Sequence, residues 1–218
     1  MAFLSRITPA LAALLLAACA TSGDGQGGGT SSNASTPSGL APGFSPESEL
    51  LLCPRLSVSN APRADGDGRV TGYAPFARVN GQRLLINPAP KSCLSSNFGN
   101  RRGKLHKGID LQSRPAGPVV AAGPGTVVES GYRDDYGNYV LIKHSETVFT
   151  RYAHLQNRTG EAQEGRTVQT GTVLGIMGNT ASYSIPIHLH YEILTGDYDT
   201  PKGAFGLTPM NILTLAAR

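Results

Sequence analysis

The sequence predicts a mainly β protein, an antiparallel, barrel-sandwich-like sheet with a small β appendage on its N-terminal side. The composition is rich in turn residues, with 27 Gly, 15 Pro and no Trp among 218 residues. Short runs of Val, Ile, Leu and Tyr recur between glycines, as is typical of short strands joined by tight turns. Two later stretches alternate polar and apolar residues with the period of two of a strand. The length allows one domain, or one domain with a small appendage.

Residues 1–18 have the build of a signal peptide. Arg6 precedes the apolar run Leu11–Ala18, which is too short to span a bilayer. The run stops at Cys19, and the residues before it resemble a bacterial lipobox, in which the cysteine is lipidated and becomes the first mature residue. The alternative is an ordinary signal peptide with an incidental cysteine. Ala20 follows in place of an aspartate, which by resemblance to sorting in diderm bacteria favours the outer membrane. We expect a lipid-anchored protein of the cell envelope that faces the periplasm.

Residues 19–46 predict a lipidated cysteine followed by a flexible tether. After Cys19 the segment consists mainly of Gly, Ser, Thr, Asn and Pro, with almost nothing to bury. A chain of roughly 25 such residues has a root-mean-square reach of about 25–30 Å. A domain held by the lipid could therefore extend into the periplasm.

Residues 47–93 are interpreted as a small β appendage closed by a disulfide. With Cys19 assigned to lipid, Cys53 and Cys93 are the two cysteines left in a chain exported to an oxidising compartment, so we expect them to be bonded. The loop they close has about 40 residues, for which the chain-entropy estimate of stabilisation is roughly 4 kcal/mol. Inside it, Asn80-Gly81 separates two apolar runs and predicts a two-residue hairpin. The appendage shows no chemistry of its own.

Residues 94–214 are interpreted as one domain of strands and turns. Glycines punctuate its apolar runs. The tail from Leu207 is expected either to form a last helical turn or to pack back on the sheet. The predicted strands are Val119–Ala122, Gly125–Val128, Tyr139–Ile142, Val148–Tyr152 and Val173–Met177.

Two stretches of this domain place metal-type ligands on the polar face of a predicted strand. In the stretch 187–193, alternation separates His188, His190 and Glu192 from Ile187, Leu189, Tyr191 and Ile193. In the stretch 105–111, it separates His106, Gly108 and Asp110 from Leu105, Ile109 and Leu111. Either pattern alone is common by chance, but together they supply what a zinc site on a sheet needs. The remaining histidine, His144, is expected to be a surface residue in a turn.

In its motifs the chain resembles the lysostaphin-type (LytM-like) zinc endopeptidases of peptidoglycan. The resemblance extends from about Leu94 to Leu213. It depends on several motifs in one order, which is far more specific than any one of them. Those motifs are Ser96–Arg101, His106–Asp110, Tyr136–Val140, Tyr152–Leu155, Gly171–Asn179 and His188–His190.

The resemblance implies a site of five residues. It implies that His106, Asp110 and His190 bind Zn²⁺, and that His154 and His188 are catalytic without binding the metal. Three protein ligands leave a tetrahedral zinc one open position, as a catalytic site requires. The chain departs from the family pattern at 180–187, where the loop is about one residue longer than usual and its Pro is displaced by one position. All five residues remain, and the difference concerns the rim of the cleft.

The expected function is zinc-dependent hydrolysis of the peptide cross-links of peptidoglycan. The expected partners are peptidoglycan and, through the lipid anchor, the membrane, with divisome or cell-wall enzymes as further candidates. One alternative is a non-catalytic peptidoglycan-binding or amidase-activating protein on the same scaffold, although such members usually lack some of the five residues. Another is a lipoyl-carrier-like sheet over Gly171–Gly178, which lacks the required lysine at a hairpin tip. The net charge of +4 falls to +3 without Arg6 and includes no long basic run, so no nucleic-acid partner is expected.

Overall fold

Strands dominate residues 39–215, the part of the chain that this computed structural model describes, and the prediction of a mainly β fold is confirmed. The strands are β1 (Leu51–Leu52), β2 (Phe76–Val79), β3 (Gln82–Leu85), β4 (Cys93–Ser96), β5 (Gly99–Arg101), β6 (Lys104–His106), β7 (Ile109–Gln112), β8 (Pro118–Val120), β9 (Gly125–Arg133), β10 (Gly137–Ser145), β11 (Val148–Arg158), β12 (Thr167–Val168), β13 (Val173–Met177), β14 (Leu189–Thr195) and β15 (Thr208–Pro209). The 3-10 helices are Gly160–Ala162, Gly203–Phe205 and Ile212–Thr214. Within the described residues, none of the helices has the length and apolar character to cross a membrane.

Eleven strands form one sheet, whose main path runs β1-β4-β7-β14-β11-β10-β9-β12. The strand β13 pairs with β11 and β8, and β15 pairs with β14. Neighbours in this sheet are antiparallel except β1 and β4, which are parallel. The described part of the chain does not close into a barrel. Two hairpins, β2–β3 and β5–β6, stand outside this sheet.

The strands and turns that the sequence predicted are present. Each of the five predicted strands of the C-terminal part overlaps one of β8, β9, β10, β11 and β13. Asn80 and Gly81 have φ of 45° and 83°, the left-handed conformations that a two-residue turn between β2 and β3 requires. The tail does both things expected of it, because β15 pairs with β14 and a 3-10 turn follows.

Residues 47–93 pack on the main sheet. Leu50, Leu84 and Ile86 lie in the same hydrophobic core as Tyr191 of β14, whose hydroxyl donates to the carbonyl of Leu85. The Cys53–Cys93 disulfide is present, next to the point where β1 meets β4. The N-terminal region is thus part of the wall behind the central strands. The domain boundary at residue 93 stays a prediction.

The last residues of the predicted tether contact the sheet. The amide of Ala41 donates to the carbonyl of Thr170 over 2.6 Å, and Phe44 lies against Gly171. The predicted signal peptide, Cys19 and residues 20–38 of the predicted tether lie outside the described residues.

Candidate metal centre

Three adjacent central strands carry the site. In the register of the sheet, His190 of β14 lies opposite Asp110 of β7 on one side and Ala153 of β11 on the other. Directly opposed residues of antiparallel strands project to the same face, so His190 and Asp110 are neighbours. The residue after Ala153 is His154, where β11 leaves β14 and begins to pair with β13 at Leu155. The topology therefore brings these side chains together on the central strands of the sheet.

The stretch 105–111 is not the single strand that the sequence predicted. It is divided into β6, which belongs to the hairpin, and β7, which belongs to the main sheet. A Cβ on Gly108 would overlap the carbonyl oxygen of Tyr191, so glycine allows the chain to pass close to β14 between the two strands. Alternation predicted that Leu105 shares a buried face with Ile109, and this prediction is wrong, because Leu105 is 48% exposed. His106 reaches the site from the hairpin rather than from the sheet.

The stretch 187–193 follows its predicted alternation from residue 189 onwards. His190 and Glu192 share one face, and Leu189, Tyr191 and Ile193 are buried as predicted. The prediction is wrong for Ile187, which is 48% exposed. His188 precedes β14 and is fixed by its amide, which donates to the carbonyl of Gly178 over 2.9 Å.

Three donor atoms converge where β6, β7 and β14 meet. Nε2 of His106 and Nδ1 of His190 each lie 2.9 Å from Oδ1 of Asp110, and the two nitrogens are 3.0 Å apart. The other ring nitrogens are engaged, because His106 Nδ1 lies 2.8 Å from the carbonyl oxygen of Asn97 and His190 Nε2 lies 3.0 Å from Oε1 of Glu192. Since those oxygens accept hydrogen bonds, these nitrogens carry the ring protons. When both rings are neutral, three lone pairs therefore face one another, an arrangement that a metal cation stabilises.

The electrostatics of these residues favour a positive charge where the three donor atoms converge. Burial raises the pKa of Asp110, but hydrogen bonds and charge from His106 and His190 outweigh it and hold that pKa well below its usual range. Burial lowers the pKa of His190, but Asp110 and Glu192 outweigh it and raise the pKa to about 9. The extra proton that His190 binds thus lies where a metal cation would lie. Two imidazoles and one carboxylate are a donor set that fits zinc, and these three residues can hold a metal ion.

A buried network holds His190 in place. Oε1 of Glu192 accepts from His190 and from the hydroxyl of Tyr136, and Oε2 is paired with Arg151 over 2.6 Å. Burial raises the pKa of Glu192, but His190 and Arg151 outweigh it and lower the pKa to about 2. Glu192 is therefore an anion within the protein. Such a carboxylate fixes the tautomer and the ring orientation of a metal-binding histidine.

His154 and His188 stand beside the triad with their rings 4.7 Å apart. Nδ1 of His154 lies 2.8 Å from the carbonyl oxygen of Thr180, and Nδ1 of His188 lies 2.8 Å from that of Pro186. These carbonyls place the ring proton on Nδ1 and leave each Nε2 as a proton acceptor. Nε2 of His188 is 3.8 Å from Oδ1 of Asp110, farther than the three converging atoms are from one another.

Both histidines are neutral at physiological pH. Burial, aided by the neighbouring His188, lowers the pKa of His154 to about 4, and burial also lowers the pKa of His188. His154 has φ of 63°, a left-handed conformation that costs a non-glycine residue on the order of 1–3 kcal/mol and is found most often at functional sites. Its conformation is held by its amide, which donates to the carbonyl of Tyr136 over 2.7 Å.

The five side chains line an open cleft of about 530 Å³. One wall is formed by Leu56, Ser57 and Ser59 of the N-terminal region, and this segment is fixed where the amide of Asn97 donates to the carbonyl of Ser59. The loop 180–187, which departs from the family pattern, also lines the cleft, through Tyr183, Ile185 and Pro186. The size is typical of a site for a small molecule or a short peptide segment.

The structure brings together five of the predicted site residues, namely His106, Asp110, His190, His154 and His188. Their roles stay predictions, as does lipidation of Cys19. His144 lies in β10 rather than in a turn and is partly buried, with its ring nitrogens 2.7 Å from Pro124 O and Thr150 Oγ1.

The residues that orient the candidate metal ligands were not predicted from the sequence. Glu192 had a readable signal, since alternation placed it on the face of His190. Arg151 also had one, because it interrupts an apolar strand where an isolated charge must find a partner. Asn97 acts through its backbone carbonyl and left no signal in its residue type.

The fold and the site define a β-sheet domain with a candidate metal centre in an open cleft. Residues 104–201 match the model of peptidase family M23, and the resemblance to lysostaphin-type enzymes is confirmed over this part of the chain.

Similar proteins cover only part of the chain. The chain is 37% identical over 138 residues to the peptidoglycan DD-endopeptidase ShyC of Vibrio cholerae, a match covering 60% of this chain and 31% of ShyC. It is 37% identical over 113 residues to the DD-carboxypeptidase/endopeptidase Mpg of Neisseria meningitidis, covering 49% and 25% of the two chains. It is 43% identical over 93 residues to the lipoprotein NlpD/LppB homolog of Pseudomonas aeruginosa, covering 42% and 30%. The chain thus spans less than a third of the length of these curated relatives.

Among solved structures, the fold is similar to that of a zinc-containing peptidase from Vibrio cholerae. The TM-score is 0.51 at 23% identity, and the match covers 63% of this chain and 45% of the other. This likeness concerns the fold.

Proposed function

We propose that the chain is a zinc-dependent endopeptidase that hydrolyses the peptide cross-links of bacterial peptidoglycan. The observation that carries the proposal is the open cleft, in which a triad of metal ligands lies beside two neutral histidines whose Nε2 atoms are free to accept a proton. The M23 domain and the peptidoglycan endopeptidases among its relatives indicate the substrate.

In this proposal, His106, Asp110 and His190 hold the zinc. When bound, zinc supplies a Lewis acid that acidifies water and polarises a carbonyl. Glu192 keeps Nδ1 of His190 available by accepting a hydrogen bond from Nε2, and the carbonyl of Asn97 keeps Nε2 of His106 available by accepting one from Nδ1.

His154 and His188 handle the protons of the reaction. Because the pKa of each is lowered, each is a neutral acceptor at physiological pH and can take the proton of the attacking water. The imidazolium formed can then donate this proton to the amine that leaves when the C–N bond breaks. It also stabilises the negative charge that develops on the carbonyl oxygen.

A non-catalytic role, as a peptidoglycan-binding or amidase-activating protein, is the second candidate. The Pseudomonas relative named as an NlpD/LppB homolog motivates it. Against it, all five residues are present and assembled around one cleft. A protein that only binds peptidoglycan or activates an amidase would not require two neutral histidines beside three metal ligands.

We also infer that the protein works in the cell envelope. Relatives named as lipoproteins support this location. Lipidation of Cys19 would hold the domain at a membrane, in diderm bacteria the outer membrane facing the periplasm, with divisome or cell-wall enzymes within reach. Replacing Cys19 with serine should move the protein from the membrane fraction to the soluble fraction, and an unmodified Cys19 in the mature protein would contradict lipid anchoring.

The proposed activity is tested on purified sacculi with a form of the chain that begins at Ala20. We expect it to release soluble muropeptides, to stop in the presence of a zinc chelator and to recover when zinc is restored. The His154→Ala variant provides the matched control, because it keeps the three metal ligands. A chain that binds zinc and leaves sacculi intact would favour the non-catalytic alternative.

A further inference from the structure

The β5–β6 hairpin places basic side chains at one end of the cleft. In its register, Arg101 lies directly opposite Lys104, and Gly99 lies opposite His106. Side chains two residues apart on a strand share a face, so Lys104 projects on the same side as the metal ligand His106. Arg101, Lys104 and Lys107 all line the cleft.

Two of these charges have no counterion among residues 39–215, the part of the chain that the structure describes. Arg101 is paired with Asp110 over 3.2 Å and also donates to Ser96. Among residues 39–215, Lys104 and Lys107 form no ion pair. Like charges directly opposite each other on paired strands are destabilising. Asp110 compensates the charge of Arg101 but not that of Lys104, so an anion beside Lys104 would relieve the remaining repulsion.

The opposite end of the cleft carries a carboxylate in place of the basic side chains. It is formed by Asp135 and Tyr136, next to the point where the Tyr136 carbonyl holds His154. The carboxylate of Asp135 is itself paired with Arg133 over 3.2 Å. Within residues 39–215, the unpaired cations that line the cleft thus lie at its His106 end.

We propose that Lys104 and Lys107, together with Arg101, form a subsite for a carboxylate of the substrate peptide. The subsite would fix the direction in which an anionic peptide lies across the metal centre, with its carboxylate at the His106 end. The exposed side chain of Leu105, which also lines the cleft, offers an apolar contact to the same segment. This inference rests on the proposed function, because it assumes a peptide in the cleft.

The test compares two ligands that differ only in charge. One is a cross-linked muropeptide dimer with free carboxylates, and the other is the same dimer with those carboxylates amidated. Binding of each to the full chain in detergent is measured by calorimetry with a chelator present, so that no hydrolysis contributes. The proteins are the wild type, the double variant Lys104→Gln/Lys107→Gln and, as a matched loss of one charge outside the cleft, Lys202→Gln.

We expect the wild type and Lys202→Gln to bind the acid dimer about three- to tenfold more tightly than the amidated dimer, as two exposed charge pairs would give. The double variant should bind both dimers equally, and the preference of the wild type should shrink at high salt. Equal binding of the two dimers by the wild type, no binding of either, or a preference retained by the double variant would overturn the subsite. A chain that prefers the acid dimer but cleaves neither once zinc is supplied would instead refute the proposed function and leave the subsite standing.

Discussion

Alanine at His188 and alanine at His190 should have different consequences, although the residues are two positions apart. Nδ1 of His190 is one of three atoms that converge within 3.0 Å of one another, whereas Nε2 of His188 lies 3.8 Å from Oδ1 of Asp110. If both bound the metal together with His106 and Asp110, the four ligands would close a tetrahedral site and leave no place for water. We therefore expect His188 to act without binding the metal.

The sizes of the two effects follow from these contacts. His190→Ala removes one of three ligands and takes the ring donor away from Glu192, which is fully buried, at a cost of about 1–3 kcal/mol of folding free energy. We expect this variant to lose both zinc and hydrolysis. His188→Ala should keep nearly stoichiometric zinc and the fold, while hydrolysis falls roughly 10²–10⁴-fold, the usual loss for a positioned acid–base group.

The assay is elemental analysis of zinc beside the rate at which sacculi are solubilised. His144→Ala is the matched control, since it removes the one histidine outside the cleft and two hydrogen bonds from β10. It should lower the free energy of unfolding by about 1–3 kcal/mol but keep zinc and the rate per folded molecule. A metal-free His188→Ala, or a fully active one, would refute the assignment.

Three further predictions follow from the surroundings of the site. Glu192→Gln leaves the guanidinium of Arg151 buried without a counterion, so we expect the free energy of unfolding, measured by denaturation, to fall by about 3–5 kcal/mol. The same change should lower the affinity for zinc, measured by chelator competition, roughly 10–100-fold. Because the pKa of metal-free His190 is raised to about 9, zinc must displace its proton at neutral pH. The affinity for zinc should therefore increase about tenfold per pH unit between about pH 6.5 and 8.5, and an affinity that does not change with pH would contradict this. Replacing Cys53 and Cys93 by serine should lower the free energy of unfolding by roughly 4 kcal/mol, and unchanged denaturation midpoints would count against it.

The alternation of β14 could be predicted because it is a local property of one strand. It placed His190 and Glu192 on one face and Leu189 and Tyr191 on the other, as the structure shows. The hairpin turn at Asn80 was predictable for the same reason, since the turn type is set by the two residues in it.

What could not be predicted depends on contacts between distant segments. The division of the stretch 105–111 follows from the close approach of Gly108 to the backbone of Tyr191, far away in the sequence. The cleft wall contributed by Leu56 depends on how the N-terminal region packs beside β4. The left-handed conformation of His154 arises where β11 changes partners, which no property of a histidine reveals.

Hydrolysis of an amide bond within a peptide cross-link can be tested on a single defined substrate. A purified cross-linked muropeptide dimer is incubated with the zinc-loaded chain that begins at Ala20, and the products are identified by mass spectrometry. We expect two monomers whose summed mass exceeds that of the dimer by one water, with a new amino group on one of them and every glycosidic bond intact. A dimer that remains whole while the chain holds zinc, or products that arise from cleavage of the glycan, would contradict the assignment of an endopeptidase.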